Sequence, residues 1–201
     1  MPTVLDFETD YLLEDACVLL RPLQADDWQN LLYFAEQEPD IWQYSLVPVA
    51  GEANLKAYIN TALAAKAAQK EYPFIVFDKR TQQYAGSTRF YDVQLANNTL
   101  QLGYTWYGKS FQRTGLNRHC KYLLLQFAFE TLGIERVEFR ADANNARSIA
   151  AMKAIGCTFE GILRSHLPLP NGGRRDSIVL SILKTEWENE VKAKLREMIE
   201  R

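Results

Sequence analysis

The stretch Tyr104–Leu132 reads YTWYGKSFQRTGLNRHCKYLLLQFAFETL, and the rest of the chain is arranged around it. An aromatic, strand-like start passes through a polar turn at Gly108–Ser110 into an amphipathic helix. The apolar positions of that helix recur at spacings of four, three and four, which is one helical face, and they are Leu116, Cys120, Leu123 and Phe127. The charged positions Arg118, Lys121 and Glu130 lie off that face. The stretch therefore predicts a strand, a loop and a helix in direct succession.

A loop that leads from a strand directly into a helix is suited to bind an anion. The first four N–H groups of a helix have no acceptor inside it, and the helix dipole adds about half a positive charge there. Gly115 lets the backbone approach a ligand without a Cβ between them, and Arg113 adds a forked positive charge. Many such loops bind nothing, so a phosphate ligand and a plain turn are equal alternatives. Neither a Walker loop nor the G-x-G-x-x-G pattern is present, which argues against P-loop nucleotides and Rossmann dinucleotides as ligands.

Composition places the chain among single-domain globular proteins. Its 201 residues are 47% apolar and 24% charged with a formal net charge of −2, which indicates no general affinity for nucleic acid. Three cysteines without paired spacing argue against a disulfide framework and a zinc site, so no metal is expected. The acidic start is unlike a signal peptide, and no apolar run is long enough to span a bilayer. These features predict a cytoplasmic protein that binds neither membranes nor nucleic acid.

Hydrophobic periodicity orders the predicted elements as β-α-α-β-β-β-α-β-α-β-β, an α/β (α+β) arrangement. About seven strands in a mixed central sheet are flanked by about four helices plus a C-terminal helix. Residues 1–201 then form one domain, with an N-terminal arm over 1–11 and the C-terminal helix over 184–201. The acidic residues of the arm favour a surface position, and the apolar stripe of the last helix is predicted to pack on the domain.

The loop sequence Gln112–Asn117, QRTGLN, resembles the Q/R-x-x-G-x-G/A motif of the GNAT superfamily of acetyltransferases, with Asn in place of the final Gly or Ala. Three further segments match that family in the same order. They are VLLRPL at 18–23 followed by DDW, GSTRFY at 86–91 followed by LGYTW, and N-x-x-S at Asn145 followed by Gly156 and EGILR. Together the matches cover about residues 12–187 and are similar to the RimJ/RimL-like branch, whose members acetylate protein N-termini or small amines. The resemblance implies the GNAT fold and acetyl-CoA as co-substrate.

The resemblance also implies which residues bind the cofactor. In the family, the loop amides hold the pyrophosphate of coenzyme A. The exposed backbone of the preceding strand pairs with the pantetheine arm and polarises the thioester carbonyl. The residues expected to bind acetyl-CoA are Tyr104, Thr105, Trp106, Gln112, Arg113, Thr114, Gly115, Leu116, Asn117, Asn145 and Ser148. The second partner is an amine acceptor, and exposed strand edges together with the terminal helix favour a homodimer.

Three residues are candidates for catalysis. Many relatives place a Tyr seven residues after the motif Asn, where this chain has Met152, so Ser148 is the hydroxyl in reach of the leaving thiolate. Ser148 could equally bond back to its own helix, and Asn145 could cap that helix as well as bind the coenzyme arm. His166 is the candidate base for the amine, against a plain strand-surface histidine, whereas His119 is expected to face solvent. Asp92, Glu160 or a backbone carbonyl acting through water are the alternatives for the base.

Two points stay open at the level of sequence. A module that binds coenzyme A or another phosphate ligand without turnover is the alternative function. It is favoured by Met152 and Gln101, which stand where relatives carry an acid and a base. The aromatic segment at residues 37–50 is either a wall of the acceptor site or an ordinary surface loop, and the acceptor itself cannot be identified.

Overall fold

The computed structural model describes residues 4–170 and 172–200, and its centre is one eight-stranded mixed sheet. The strands are β1 Leu13–Glu14, β2 Val18–Pro22, β3 Tyr72–Asp78, β4 Gln83–Gln94, β5 Thr99–Tyr107, β6 Arg136–Asp142, β7 Thr158–Pro168 and β8 Arg174–Leu183. Their order across the sheet is β1-β2-β3-β4-β5-β6-β8-β7. Every neighbouring pair is antiparallel except β5 and β6, which run parallel.

Four helices and a C-terminal helical segment flank the sheet in the described residues. They are α1 Trp28–Gln37, α2 Glu52–Ala67, α3 Leu116–Gln126 and α4 Ala146–Ala154, followed by α5 Lys184–Glu186, a π-helical turn Trp187–Val191 and α6 Lys192–Glu200. α3 also continues as a π-helical turn, Phe127–Thr131. The predicted class and helix number are confirmed. The sheet has eight strands rather than about seven because the two-residue strand β1 pairs with β2.

The hydrophobic core includes strand residues whose neighbours along the chain are both buried. In β3, Phe74, Ile75 and Val76 are all 0% exposed, although successive side chains of a strand point to opposite faces of the sheet. The C-terminal segment packs on the domain as predicted, through Trp187, Val191 and Leu195, all of which are buried. Within residues 4–170 and 172–200, no helix combines the length and the apolar character that crossing a membrane requires.

The described part of the N-terminal arm is anchored in the core. Leu5 and Phe7 are 3% and 4% exposed, although residues 4–12 form neither helix nor strand. The predicted surface position therefore holds for the alternating acidic residues Asp6 and Glu8, which are exposed, but is wrong for their apolar neighbours. Burial of those two side chains gives the arm a hydrophobic attachment that its acidic composition does not indicate.

Candidate active site

β5 and β6 separate soon after they begin to pair. Only Thr99, Leu100 and Gln101 pair with β6. β6 remains paired along its full length with β8, from Arg136 to Asp142. The edge of β5 that faces β6 is therefore open over residues 102–107, so its backbone groups there have no strand partner. This opening lies directly before the loop that leads into α3.

The open part of β5 contains a local irregularity at Tyr104. The pairing of β4 with β5 shifts register between Ser87 and Arg89, and Tyr104, on the opposing strand, has a φ of 49°. A tyrosine in the left-handed region is uncommon and is typical of a bulge, which re-aims backbone and side chain. Two residues of β5 that the sequence places at the thioester, Tyr104 and Thr105, thus lie where the strand bends.

The loop before α3 presents unpaired backbone donors. The amide N–H groups of Arg113, Thr114, Gly115 and Asn117 have no acceptor among the described residues. Arg113 and Gly115 both have positive φ, 63° and 89°, which turns the chain sharply at the start of the helix. Unpaired amides at a helix start, together with the exposed side chain of Arg113, are the elements of an anion site.

The side chain of Gln112 connects this loop to β5 and to α4. Its Nε2 donates to the carbonyl oxygen of Tyr107 at 2.9 Å, and its Oε1 accepts from Arg147 Nη1 at 2.7 Å. Arg147 lies in the first turn of α4, so the side chain of Gln112 connects the end of β5 to α4. The structure thereby brings the predicted loop residues next to the N-terminus of the helix that carries Ser148.

Asn145 and Ser148 take different roles at the start of α4. Asn145 is the N-cap, because its Oδ1 accepts from the Ser148 amide at 3.0 Å. The Ser148 hydroxyl makes no hydrogen bond with any described residue and is half-buried, so it does not bond back to its own helix. Met152, one turn further on, is buried at 6% exposed. Ser148 therefore keeps a free hydroxyl next to Arg147, which bonds the loop before α3.

Lys121 lies in a different environment from the one that its position off the apolar face predicts. It is 5% exposed rather than on a free face, and its Nζ donates to Thr105 Oγ1 at 2.8 Å. That hydroxyl lies 2.7 Å from Thr88 Oγ1, so the ammonium is linked to β5 and β4. Burial lowers the pKa of Lys121 to about 8. The sequence carries no signal for the burial of Lys121, because α3 contacts β1, β2 and α6 and is therefore covered on more than its apolar face.

His119 is also placed differently from the expectation that it faces solvent. Its side chain is 12% exposed, and Nδ1 lies 2.7 Å from Asp15 Oδ2. Burial alone would raise the pKa of Asp15, but the His119 contact and two backbone amides hold that pKa below its ordinary value. Asp15, Cys17 and His119 have ligand atoms within 4.8 Å of one another, the only such group in the described ranges that could hold a metal ion.

A polar face lies on the side of the sheet opposite Lys121. Cross-strand partners share a face, and Asp142 pairs with Ser177 across β6 and β8. The rings of Tyr91 and Tyr104 meet edge to face at 5.1 Å, and Arg89 lies over the Tyr104 ring at 4.1 Å. The members of this polar face are Tyr91, Tyr104, Glu138, Arg140, Asp142, His166, Arg175 and Ser177. It borders the open edge of β5.

His166 is held inside this polar face by two contacts. Its Nδ1 lies 2.9 Å from Ser177 Oγ, and its Nε2 lies 3.5 Å from Arg140 Nη1. Burial and the charges of the neighbouring arginines lower the pKa of His166, which favours the neutral imidazole at pH 7. Gln101, on β5, pairs across the sheet with Glu138 and donates to Asp92 at 2.7 Å. A neutral histidine on this polar face, which borders the open edge of β5, could accept a proton from an amine.

β5 and β6 run parallel and then separate, and the loop between β5 and α3 has unpaired amides. Comparison with known proteins agrees with this geometry. A family model described as an acetyltransferase (GNAT) domain matches residues 18–158. The chain belongs to the GNAT acetyltransferase family. Members of this family transfer acetyl groups from acetyl-CoA, and the resemblance seen in the sequence is thereby confirmed.

Individual relatives of this GNAT chain include curated proteins and solved structures. A putative ribosomal N-acetyltransferase YdaF from Bacillus subtilis (strain 168) is 33% identical over 52% of this chain. The match spans 56% of that relative's length, about half. A crystal structure of a putative acetyltransferase from T. thermophilus is 31% identical with a TM-score of 0.83, covering 92% of this chain and 95% of that one. Another putative acetyltransferase structure is 33% identical with the same TM-score of 0.83 and the same coverage.

Proposed function

We propose that this protein is an N-acetyltransferase that moves the acetyl group of acetyl-CoA directly to a primary amine in a ternary complex. The acceptor is a protein N-terminus or a small-molecule amine. The observation that carries the proposal is the open edge of β5, which is followed, after one 3-10 turn at Lys109–Phe111, by a loop with four unpaired amides. An extended chain that ends in a diphosphate has the shape that matches this arrangement.

Two parts of the chain bind acetyl-CoA in this proposal: the open edge of β5 and the loop before α3. The pantetheine arm lies along the open edge of β5 as an added strand, since main-chain donors and acceptors there have no partner. An N–H of Tyr104–Tyr107 polarises the thioester carbonyl, a contribution of about 3 kcal/mol when a donor is aimed at the developing oxyanion. The pyrophosphate binds the unpaired amides of Arg113, Thr114, Gly115 and Asn117, assisted by the Arg113 charge.

Proton transfer is assigned to two side chains. Ser148 has a hydroxyl with no partner among the described residues and donates to the leaving thiolate. His166 takes the proton of the attacking amine, directly or through a water, because its lowered pKa keeps the imidazole neutral. Asn145 holds the first turn of α4 through its cap, so that Ser148 keeps its position; its side-chain amide also bonds the coenzyme arm.

The test is thiol release from acetyl-CoA with a panel of primary amines, combined with calorimetry of acetyl-CoA binding. The proposal expects binding and amine-dependent thiol release with at least one acceptor. Absence of acetyl-CoA binding would contradict it. Tight binding without turnover on any amine would favour the second candidate, a coenzyme A-binding module, which Met152 and Gln101 support because neither can transfer a proton as an acid or base.

A further inference from the structure

Arg175 is a buried arginine without an ion pair. Two arginines are buried in the described part of the chain, Arg89 at 3% and Arg175 at 8% exposed. Arg89 Nη1 is bonded to Glu71 at 2.6 Å. Arg175 makes one hydrogen bond, from Nε to Ser177 Oγ at 3.0 Å, and its two terminal nitrogens donate to no described residue. Four N–H bonds of a charged group therefore have no protein acceptor, and neither terminal nitrogen is among the fully buried polar atoms, so solvent or a ligand can reach them.

The partly accessible guanidinium is available to a ligand. A donor that still reaches water keeps hydration there, so its free N–H bonds can exchange water for a ligand acceptor. Burial lowers the pKa of Arg175, and the carboxylate of Asp142 offsets this only in part, from outside ion-pair distance. Because no carboxylate of the described residues lies within ion-pair distance of Arg175, an anionic group of a ligand would meet a guanidinium that is not already paired.

The position of Arg175 indicates what that ligand is. Ionisation of Tyr91 or Tyr104 would raise the pKa of Arg175, so both phenols lie near its guanidinium, and Tyr104 lies on the open edge of β5. The Ser177 hydroxyl contacts both Arg175 Nε and His166 Nδ1. One hydroxyl thus joins the free guanidinium to the candidate base. A group bound to Arg175 would sit beside the place where the amine must lose its proton.

We propose that Arg175 binds a carboxylate of the acceptor, so that the acceptor is a primary amine with a carboxylate close to it. This inference rests on the proposed function and specifies its substrate class. The planar fork of a guanidinium matches a carboxylate through two parallel hydrogen bonds. A dianionic phosphate fits less well, because Asp142 and Glu138 on the same polar face repel a second negative charge. A free amino acid, or a peptide with an acidic residue near its N-terminus, has this chemistry.

The experiment compares amines that differ only in the carboxylate. Tyrosine is tested against tyramine, and phenylalanine against phenethylamine, in steady-state acetylation by the full chain. A pair of amidated peptides, Ser-Asp-Ala against Ser-Asn-Ala, gives the matching comparison for a side-chain carboxylate. We expect the wild type to prefer the carboxylate member of at least one pair by about tenfold or more in kcat/KM.

Arg175→Gln should remove that preference. Its KM for the carboxylate acceptor should rise about tenfold or more, and the ratio of kcat/KM between the carboxylate acceptor and its matched amine should fall to about one, a ratio that a change at His166 alone would not alter. Arg175→Lys should retain part of the preference, since it keeps the charge but loses the fork. Arg174→Gln is the control, because Arg174 is exposed and bonds only the carbonyls of Ser165 and His166. The melting temperature and acetyl-CoA affinity of each variant show whether the fold and the donor site are intact.

The outcomes separate this inference from the proposed function. Equal kcat/KM within every pair, or a preference that survives in a folded Arg175→Gln, would overturn the assignment of Arg175 while leaving the acetyltransferase proposal in place. Acetyl-CoA binding with no turnover of any amine would overturn the proposed function and this inference with it. Preference confined to the peptide pair supports the assignment and places the carboxylate on a side chain.

Discussion

At the scale of single residues, Lys121 shows the limit of reading a helix by its apolar stripe. Spacing predicts which face of α3 is apolar, and Leu116 and Cys120 are buried accordingly. It does not reveal how many sides of the helix are covered. Lys121 is buried because the sheet and the C-terminal segment together enclose α3, and its ammonium has one hydrogen-bond partner, Thr105. A buried charge with so little compensation is a burden on stability.

Lys121→Met should therefore stabilise the protein at pH 7, by about 1–3 kcal/mol, because it removes a buried charge and fills similar volume. The pKa of Lys121 falls from 10.5 to about 8 on folding. Between these values the unfolded chain binds a proton that the folded chain does not, so wild-type stability gains with rising pH, by about 3 kcal/mol in all. The advantage of the variant should accordingly shrink from pH 8 to 10.5.

Denaturant unfolding of both proteins from pH 7 to 10.5 checks this. The buried thiols Cys120 and Cys157, whose pKa burial raises to about 12, are present in both proteins, so their effect cancels in the difference. A difference in unfolding free energy that stays constant with pH would show that Lys121 is not charged and buried as described.

Ser148→Ala separates catalysis from structure at a single hydroxyl. Because Ser148 Oγ bonds no described residue, its removal should change stability by less than about 0.5 kcal/mol. If the hydroxyl protonates the leaving thiolate, kcat should fall about 100-fold, a usual size for loss of a general acid, with the Kd for acetyl-CoA nearly unchanged. Calorimetry and steady-state rates measure the two effects. An unchanged kcat would show that the Ser148 hydroxyl is not the general acid and that Ser148 has only a structural role in α4.

At the scale of elements, the sequence predicts what depends on neighbouring residues. The succession of β5, loop and α3 could be predicted from period and turn residues, and α3 begins at Leu116 as expected. The separation of β5 from β6 could not, because it is set by β8, which comes about 70 residues later and pairs with all of β6. The polar face around Arg175 depends on the same long-range pairing, so its members carry no local signal.

The loop before α3 allows a comparison of two glycines in the same conformation. Gly115 and Gly172 both have φ near +89°, and a Cβ added to either meets no atom within 4 Å. Ala at each should cost a similar amount of stability, about 1 kcal/mol, because an L side chain is strained there. Only Gly115→Ala places a methyl group where the diphosphate is proposed to bind, so only it should weaken acetyl-CoA binding, by about tenfold or more.

Thermal unfolding and calorimetry on the two variants provide the measurement. Equal acetyl-CoA affinity in Gly115→Ala and Gly172→Ala would show that the loop does not approach the diphosphate. A larger loss of stability in one of them would show that the two positions differ in backbone strain.

At the scale of the whole molecule, composition gave little information about the acceptor. A net charge of −2 does not indicate that the sheet gathers Arg140, Arg174 and Arg175 around one histidine. The homodimer stays a prediction. The terminal helix packs its apolar stripe inward, whereas the edge strand β7 leaves Phe159 and Ile162 about half exposed, at 51% and 50%. An association of two copies would therefore involve the β7 edge more readily than the terminal helix.

Trp187 connects the C-terminal segment to α3 and hence to the proposed donor site. It is 0% exposed, stacks on Phe129 with ring centroids 5.6 Å apart, and donates to Glu130 Oε1 at 2.9 Å. Trp187→Ala should lower the free energy of unfolding by about 3–5 kcal/mol, since it opens a large cavity and leaves Glu130 with one partner fewer. Met198→Ala, on the same segment but only partly buried, should cost much less.

Stabilisation by bound acetyl-CoA can be measured to test whether the packing of Trp187 also supports the acetyl-CoA site. Acetyl-CoA at about 100 times its Kd adds about 2.7 kcal/mol to a folded state that binds it, whatever the starting stability. If the C-terminal segment only stabilises the fold, Trp187→Ala should keep its acetyl-CoA affinity at low temperature and show this same increment in denaturant unfolding. A lost increment in a protein that still unfolds cooperatively would mean that Trp187 holds α3 in the position that the diphosphate requires, so that fold stability and cofactor binding depend on the same contact.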